Sequence, residues 1–302
     1  MNSGKKLVIP NFLCIGAQKT GTTALYHILK NHPEITVSKP RKETKFFYRD
    51  SEYKQGLEFY SKFFSYGTPA KAIGEFDPDY LYFDYVPERI FHTLGANIKF
   101  IVIFRHPVDR AYSQYLMSVH RSHENKEFEE AIRAEKSRLK DASLIHRNHF
   151  SYLSRGCYDE QLARYFKYFP KENFLFLKYE EEIQQNISTA LSKIFSFLNI
   201  SETDLDTNIK MNEASKPKSK TLMRLVQQQN PLRSILSTVI RTPETRQKLR
   251  KSLMRWNRKK IEKVPLDAAL RNDLYEKYFV KNIEALERMT GMNFSSWKEK
   301  AN

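Results

Sequence analysis

The stretch Asn11–Leu29, NFLCIGAQKTGTTALYHIL, has the pattern of a buried strand, a tight polar loop and the first turns of a helix. Four apolar residues lead into Gly16, and after Gly21 the apolar residues recur at helical spacing. Backbone N–H groups at a helix N-terminus have no partners within the helix and together carry about half a positive charge. The stretch therefore predicts a site for a phosphate or a sulfate.

The loop between the two glycines supplies further donors for such an anion. The spacing from Gly16 to Gly21 is that of a Walker A loop, but Thr22 and Thr23 follow where the usual lysine would stand. In an NTPase that lysine neutralises the β and γ phosphates, so this loop suits a different anion. A glycine-rich turn without any ligand is the alternative that the loop alone leaves open. The candidate anion ligands are Gln18, Lys19, Thr20, Gly21, Thr22 and Thr23.

The composition favours an anionic partner. The 302 residues include 51 Lys+Arg and 35 Asp+Glu, which gives a net charge of +16. Nucleotides, sulfated or carboxylated glycans, nucleic acids and acidic membrane surfaces all suit such a charge. The two cysteines do not suggest a disulfide framework. The apolar stretch before Pro10 is too short for a signal peptide. We therefore expect a cytoplasmic protein without a transmembrane segment, whose membrane contact is at most peripheral.

A second basic junction between a strand and a helix follows the stretch Ile98–Phe104. This stretch is β-branched and apolar on both faces, which is typical of a central parallel strand covered by helices. Arg105 at its end can direct two N–H groups at a phosphate, and Ser113 can reach the same anion from the following helix. An ion pair between Arg105 and Asp109 is the structural alternative. Together with the first loop, this junction predicts one ligand with two separated anionic groups.

Three carboxylates are candidates for contact with an acceptor. Glu43 follows Lys42 and precedes two phenylalanines, so it is either a general base in a partly desolvated cleft or a surface ion pair. Glu75 and Asp77 stand at the end of a predicted strand, Ala72–Phe76. Ligands of an open α/β sheet lie beyond the carboxyl ends of its strands, but an ordinary capped turn has the same residues.

Four histidines follow in a charged, helical region as two pairs, each three residues apart. Neither an HExxH pattern nor a cysteine cluster accompanies them, so no metal site is expected. His120 is the candidate to face the cleft and contact an anionic acceptor, and solvated side chains are the alternative. The four residues are His120, His123, His146 and His149.

Four blocks of the sequence, in this order, resemble the sulfotransferases that use 3′-phosphoadenosine 5′-phosphosulfate. The similarity is to the heparan-sulfate-type and related bacterial carbohydrate enzymes, and it spans about the first two thirds of the chain. The blocks are GAQKTGTTAL (Gly16–Leu25), KETKFF (Lys42–Phe47), IFRHPVDRAYSQY (Ile103–Tyr115) and RGCYDEQLARYFKYFPKENFLFLKYEE (Arg155–Glu181).

The resemblance implies a role for individual residues. In the family the first block binds the 5′-phosphosulfate, with its lysine, here Lys19, acting on the bridging oxygen. The glutamate of the second block, here Glu43, is the base in several glycan enzymes. An aromatic residue near Tyr158 approaches the nucleotide base, and a basic loop closes over the 3′-phosphate. The implied nucleotide ligands beyond the first block are Arg105, Ser113, Tyr158, Lys218 and Lys220.

The resemblance also implies a P-loop-like sulfotransferase fold, with a mostly parallel sheet flanked by helices and a helical C-terminal part. One domain over residues 1–302 is the simplest arrangement, with a core at about residues 8–200. The expected reaction is metal-independent transfer of a sulfuryl group to a hydroxyl or amine of a saccharide, and no nucleic acid is expected as a partner. The residues predicted to contact the acceptor are Lys42, Glu75, Asp77 and His120. A non-catalytic polyanion-binding protein and a nucleotide kinase with an altered P-loop are the alternatives.

Overall fold

The computed structural model describes residues 7–66, 70–141, 143–208, 215–217, 252, 258–260 and 265–298. Five strands of this described chain form one sheet, and all neighbouring pairs in it are parallel. The strands are β1 Phe12–Gly16, β2 Ile35–Val37, β3 Ala72–Phe76, β4 Lys99–Phe104 and β5 Phe174–Lys178. Their order across the sheet is β2-β3-β1-β4-β5. The predicted α/β fold with a mostly parallel sheet is confirmed.

Helices connect and flank these strands. The sequence predicts a single helix over Tyr53–Phe64, but the chain forms two short ones because Gly56 has a left-handed φ of 77° and interrupts the run. The described helices are α1 Thr22–Leu29, α2 Asp50–Tyr53, α3 Gly56–Ser61, α4 Val86–Leu94, α5 Pro107–His120, α6 Phe128–Arg138, α7 Leu144–His149, α8 Tyr158–Tyr165, α9 Ile187–Leu198, α10 Ala268–Tyr278 and α11 Val280–Thr290. A π-helical segment covers Tyr179–Gln185 between β5 and α9.

The centre of the sheet explains why polar loops meet at one edge. Every residue of β1 is buried, and so are all residues of β4 from Phe100 onwards, as expected for parallel strands covered on both faces. β1 pairs with β3 on one side and with β4 on the other. Since parallel strands share their direction, the loops that begin at Ala17, Asp77 and Arg105 leave the same edge of the sheet.

Contacts divide the chain into two compact units. The first comprises residues 1–111, 153–209 and 267–302 and contains the five-stranded sheet. The second comprises residues 112–152 and 210–266. In the second unit, β6 Ser215–Pro217 pairs antiparallel with β7 Arg258–Lys260, and the buried Glu124 accepts a hydrogen bond from the Tyr152 hydroxyl at 2.9 Å. The prediction of one domain over residues 1–302 stays a prediction.

Within the described ranges, no helix combines the length and the apolar character that crossing a membrane would require.

Candidate active site

The loop after β1 leaves the start of α1 open to an anion. Gly21 has a φ of 82°, and a Cβ at this position would lie 2.8 Å from Ile183 Cγ2. Only glycine therefore suits the position directly before the helix. Among the described residues no side chain caps α1, and its first turn contains no acidic residue. The N–H groups at this helix end are left for a bound anion.

The two basic junctions predicted from the sequence lie side by side. Arg105 Nη1 donates to the Lys19 carbonyl oxygen at 2.9 Å, and its guanidinium carbon lies 4.6 Å from the centre of the Tyr179 ring. The alternative pair between Arg105 and Asp109 does not form, because the Asp109 carboxylate accepts two hydrogen bonds from Arg271 at 3.0 and 3.1 Å. One ligand can therefore contact both the Lys19 loop and Arg105.

The threonines of the loop have different roles. Thr20 is fully buried and its hydroxyl donates to the Ala17 carbonyl oxygen at 2.6 Å. The single proton of this hydroxyl is therefore used within the loop. That Thr20 is a ligand of the anion stays a prediction. The Thr22 hydroxyl oxygen accepts a hydrogen bond from Lys42 Nζ at 3.4 Å. Thr23 is half-buried at the start of α1.

Lys42 and Glu43 lie next to this loop. Lys42 Nζ is 3.1 Å from Glu43 Oε1 as well as in contact with Thr22. The Lys42 side chain is 14% exposed, whereas that of Glu43 is 35% exposed. The Glu43 carboxylate is thus partly accessible, while the half-buried Lys42 ammonium links it to the first turn of α1.

Glu75 and Asp77 do not face a substrate. Both side chains are fully buried, and burial raises the pKa of each carboxyl group above its ordinary value. Glu75 Oε1 accepts the Thr44 N–H at 2.6 Å, and Asp77 Oδ2 accepts the Lys45 N–H at 3.2 Å. The prediction that these carboxylates contact an acceptor is wrong for this structure, because both are used to hold the backbone that follows Glu43.

Tyr158 packs against the end of β4, next to Arg105. Its side chain is fully buried, its ring packs 5.1 Å from that of Phe104, and its hydroxyl donates to the Arg105 carbonyl oxygen at 2.8 Å. The implied contact with the nucleotide base is wrong, because the ring fills the space beneath the end of β4.

Two residues that orient the first loop, Asp79 and Arg155, were not predicted from the sequence. Gln18 Nε2 donates to Asp79 Oδ1 at 3.2 Å, and the same oxygen accepts a hydrogen bond from Arg155 Nη1 at 2.8 Å. Arg155 is only 2% exposed, and its guanidinium lies over the ring of Tyr82. Two features of the sequence could have pointed to them: Asp79 is the second carboxylate of an Asp-Pro-Asp motif, and Arg155 is the first residue of the fourth matching block. The Gln18 amide is thereby fixed through its nitrogen.

The sequence profile of the sulfotransferase domain matches residues 10–264. The chain belongs to the sulfotransferase family. This is a family of transferase enzymes, and the match covers most of the chain, including the Lys19 loop, Glu43 and Arg105.

Curated relatives of this sulfotransferase-family chain include enzymes of heparan sulfate. It is 30% identical over 193 residues to mouse heparan sulfate glucosamine 3-O-sulfotransferase 5, a match that covers 64% of this chain and 54% of the relative. It is 32% identical over 203 residues to human bifunctional heparan sulfate N-deacetylase/N-sulfotransferase 2, covering 64% and 22%, respectively. The matches thus span about half or less of the length of these relatives.

A solved bacterial sulfotransferase has the same fold. The crystal structure of a sulfotransferase from Alicyclobacillus acidocaldarius superposes with a TM-score of 0.65 at 22% sequence identity. The superposition covers 97% of this chain and 100% of the other. At this identity the likeness establishes the P-loop-like sulfotransferase fold.

The remaining predicted site residues of the sulfotransferase-family chain stay predictions. Ser113 and His120 lie on α5, and both are half-buried. Lys218 and Lys220 lie outside the described residues. In the part of the chain that the structure describes, no group of three or more His, Cys, Asp or Glu side chains has the arrangement of a metal site.

His106, which follows Arg105 directly, is a buried neutral group. Its ring is fully buried near the Asp109 carboxylate, with its centre 5.1 Å from that of the tilted Tyr275 ring. Burial lowers the pKa of His106 from 6.5 to about 3. Below pH 6.5 an unfolded chain binds a proton at this residue that the folded chain excludes. Folding stability therefore falls as the pH drops from about 6.5 towards 3.

Between pH 7 and pH 5, we expect His106 alone to lower the free energy of unfolding by about 2 kcal/mol. The His106→Gln variant keeps a polar side chain of similar size but cannot titrate, so its stability should fall less over the same interval. Urea unfolding followed by tryptophan fluorescence at both pH values measures the difference. Equal losses in the wild type and the variant would show that another group causes the acid sensitivity.

Proposed function

We propose that this chain transfers a sulfuryl group from 3′-phosphoadenosine 5′-phosphosulfate to a hydroxyl or amine of a saccharide. The observation that carries the proposal is the 2.9 Å hydrogen bond between Arg105 and the Lys19 carbonyl, which brings two sites for anions together. A nucleotide with an anionic group at each end of its ribose needs such a pair of sites.

The residues present fit that nucleotide. The uncapped start of α1 and the Lys19 ammonium suit the 5′-phosphosulfate. Arg105 Nε is buried without a hydrogen-bond partner among the described residues, so this guanidinium retains an N–H for the 3′-phosphate. A sulfuryl group carries less negative charge than a phosphoryl group, and we therefore propose that no magnesium ion is required.

In the proposed reaction one bond forms, one bond breaks and one proton is transferred. A bond forms between the acceptor oxygen or nitrogen and sulfur, while the bond between sulfur and the bridging oxygen of the nucleotide breaks. Glu43, whose side chain is 35% exposed, takes the proton of the acceptor. Lys19 and the N-terminus of α1 stabilise the negative charge that grows on the departing phosphate oxygen. The two anion sites orient the nucleotide for attack in line.

The proposed acceptor is a saccharide for two reasons. The two heparan sulfate relatives carry that polymer in their names, and the match to each covers 64% of this chain. The net charge of +16 would also attract an anionic glycan.

Incubation of the protein with a panel of acceptors and the nucleotide donor, labelled in its sulfuryl group, tests this assignment. The panel contains N-acetylated and deacetylated heparosan, heparan sulfate and small alcohols, without added metal. We expect label to pass to a saccharide. Transfer only to small alcohols would overturn the acceptor class, and the absence of any transfer would overturn the proposed activity.

A further inference from the structure

The carboxylate of Glu75 is fully buried near the site. It is 0% exposed, and three groups donate to it. Oε1 accepts the Thr44 N–H at 2.6 Å, while Oε2 accepts the Tyr60 and Tyr80 hydroxyls at 2.7 and 3.0 Å. Burying a carboxylate in this way is costly unless several donors surround it, and here they converge from three separate segments of the chain.

The backbone that Glu75 holds is the one that carries Glu43. Thr44 follows Glu43 directly, and the next N–H, that of Lys45, is bound by Asp77 at 3.2 Å. Lys45 has a left-handed φ of 65°, which a residue other than glycine adopts only when its surroundings require it. The turn after Glu43 is thus fixed by two consecutive N–H groups that bind carboxylates from the end of β3.

The same pair of strands carries the loop for the nucleotide. Glu75 is in register with Leu13 of β1, and the loop that contains Lys19 begins immediately after β1 ends at Gly16. A displacement of the Glu43 turn relative to β3 would therefore change its distance from the Lys19 loop. Even an error of about 1 Å in such a position can cost a large factor in rate.

We propose that Glu75 is a positioning residue that sets the place of Glu43 relative to the Lys19 loop. The inference rests on the proposed function, because it assumes that Glu43 takes the proton of the acceptor. Its chemistry is that of a carboxylate with lone pairs for three donors. A glutamine at this position has one oxygen, and its amide nitrogen would face hydroxyl groups that now donate.

The first test compares Glu75→Gln in two backgrounds. In the wild-type background we expect kcat for sulfuryl transfer to fall by about tenfold to a hundredfold, with the affinity for 3′-phosphoadenosine 5′-phosphate unchanged within about twofold by calorimetry. In a Glu43→Gln background the same change should alter kcat by less than about twofold, because the group that Glu75 positions is already absent. A purely structural role would lower kcat equally in both backgrounds.

A second pair of variants makes a smaller change, since each removes one buried hydroxyl group and keeps the ring. Tyr60→Phe removes one donor to Glu75, whereas Tyr165→Phe removes an equally buried hydroxyl that donates to the Tyr80 carbonyl oxygen at 2.9 Å. We expect kcat to fall several-fold for Tyr60→Phe and to stay near the wild-type value for Tyr165→Phe.

The outcomes separate the two proposals. Transfer by the wild type, combined with equal losses in both backgrounds or equal effects of the two tyrosine variants, overturns the role of Glu75 and leaves the activity intact. Failure of the wild type to transfer the label overturns the proposed function and the role of Glu75 with it.

Discussion

Replacement of Lys19 by methionine is expected to lower kcat for sulfuryl transfer by about two to three orders of magnitude. The loop holds this residue at the turn between β1 and α1 with a left-handed φ of 75°, beside the guanidinium of Arg105. A preorganised cation at the departing phosphate oxygen acts mainly in the transition state, so kcat should fall more than the affinity for the nucleotide. Methionine keeps the length of the side chain and removes the charge.

Lys30→Met is the matched control for this variant. Lys30 is exposed at the other end of α1, and its loss should leave kcat near the wild-type value. Steady-state kinetics with labelled nucleotide measures both variants. A Lys19→Met enzyme with wild-type kcat would contradict the role of the ammonium group in charge stabilisation.

Replacement of Glu43 by glutamine should lower kcat by about a hundred to ten thousand times. The amide has nearly the same shape but cannot take the proton of the acceptor. The affinity for 3′-phosphoadenosine 5′-phosphate should remain within a few-fold, since the proposed nucleotide ligands are the Lys19 loop and Arg105, whereas the Glu43 carboxylate contacts Lys42 at 3.1 Å.

Glu58→Gln provides the comparison for Glu43. Glu58 is exposed on α3 and has the same side chain outside the site. Its variant should be as active as the wild type in the same assay. If Glu43→Gln were as active as the wild type, another group would have to be the base. Glu75 could then not act by positioning Glu43.

The sequence predicted the parts of the fold that depend on local pattern and chain order. The apolar runs of β1, β3 and β4 identified buried strands, and parallel strands necessarily bring their carboxyl ends to one edge. That geometry explains why the neighbourhood of Lys19 and Arg105 was predictable although the two residues are 86 positions apart.

Tertiary contacts decided what the sequence could not. Whether Glu75 and Asp77 face a ligand or the protein depends on the turn after Glu43, which approaches β3 from a different part of the chain. The same holds for Tyr158, whose burial depends on its packing against the end of β4. A carboxylate or phenol at the end of a strand has the same local pattern in either role, so only the fold distinguishes them.

Calorimetric binding of 3′-phosphoadenosine 5′-phosphate tests the central claim most directly. We expect tight binding in the presence of EDTA, and a loss of at least about tenfold in affinity for Arg105→Ala, because a charge-assisted hydrogen bond to the 3′-phosphate is removed. Absence of binding by the wild type would contradict the account. So would binding that Arg105→Ala leaves unchanged, as a polyanion-binding protein would show, or binding that appears only with magnesium, as a nucleotide kinase would show.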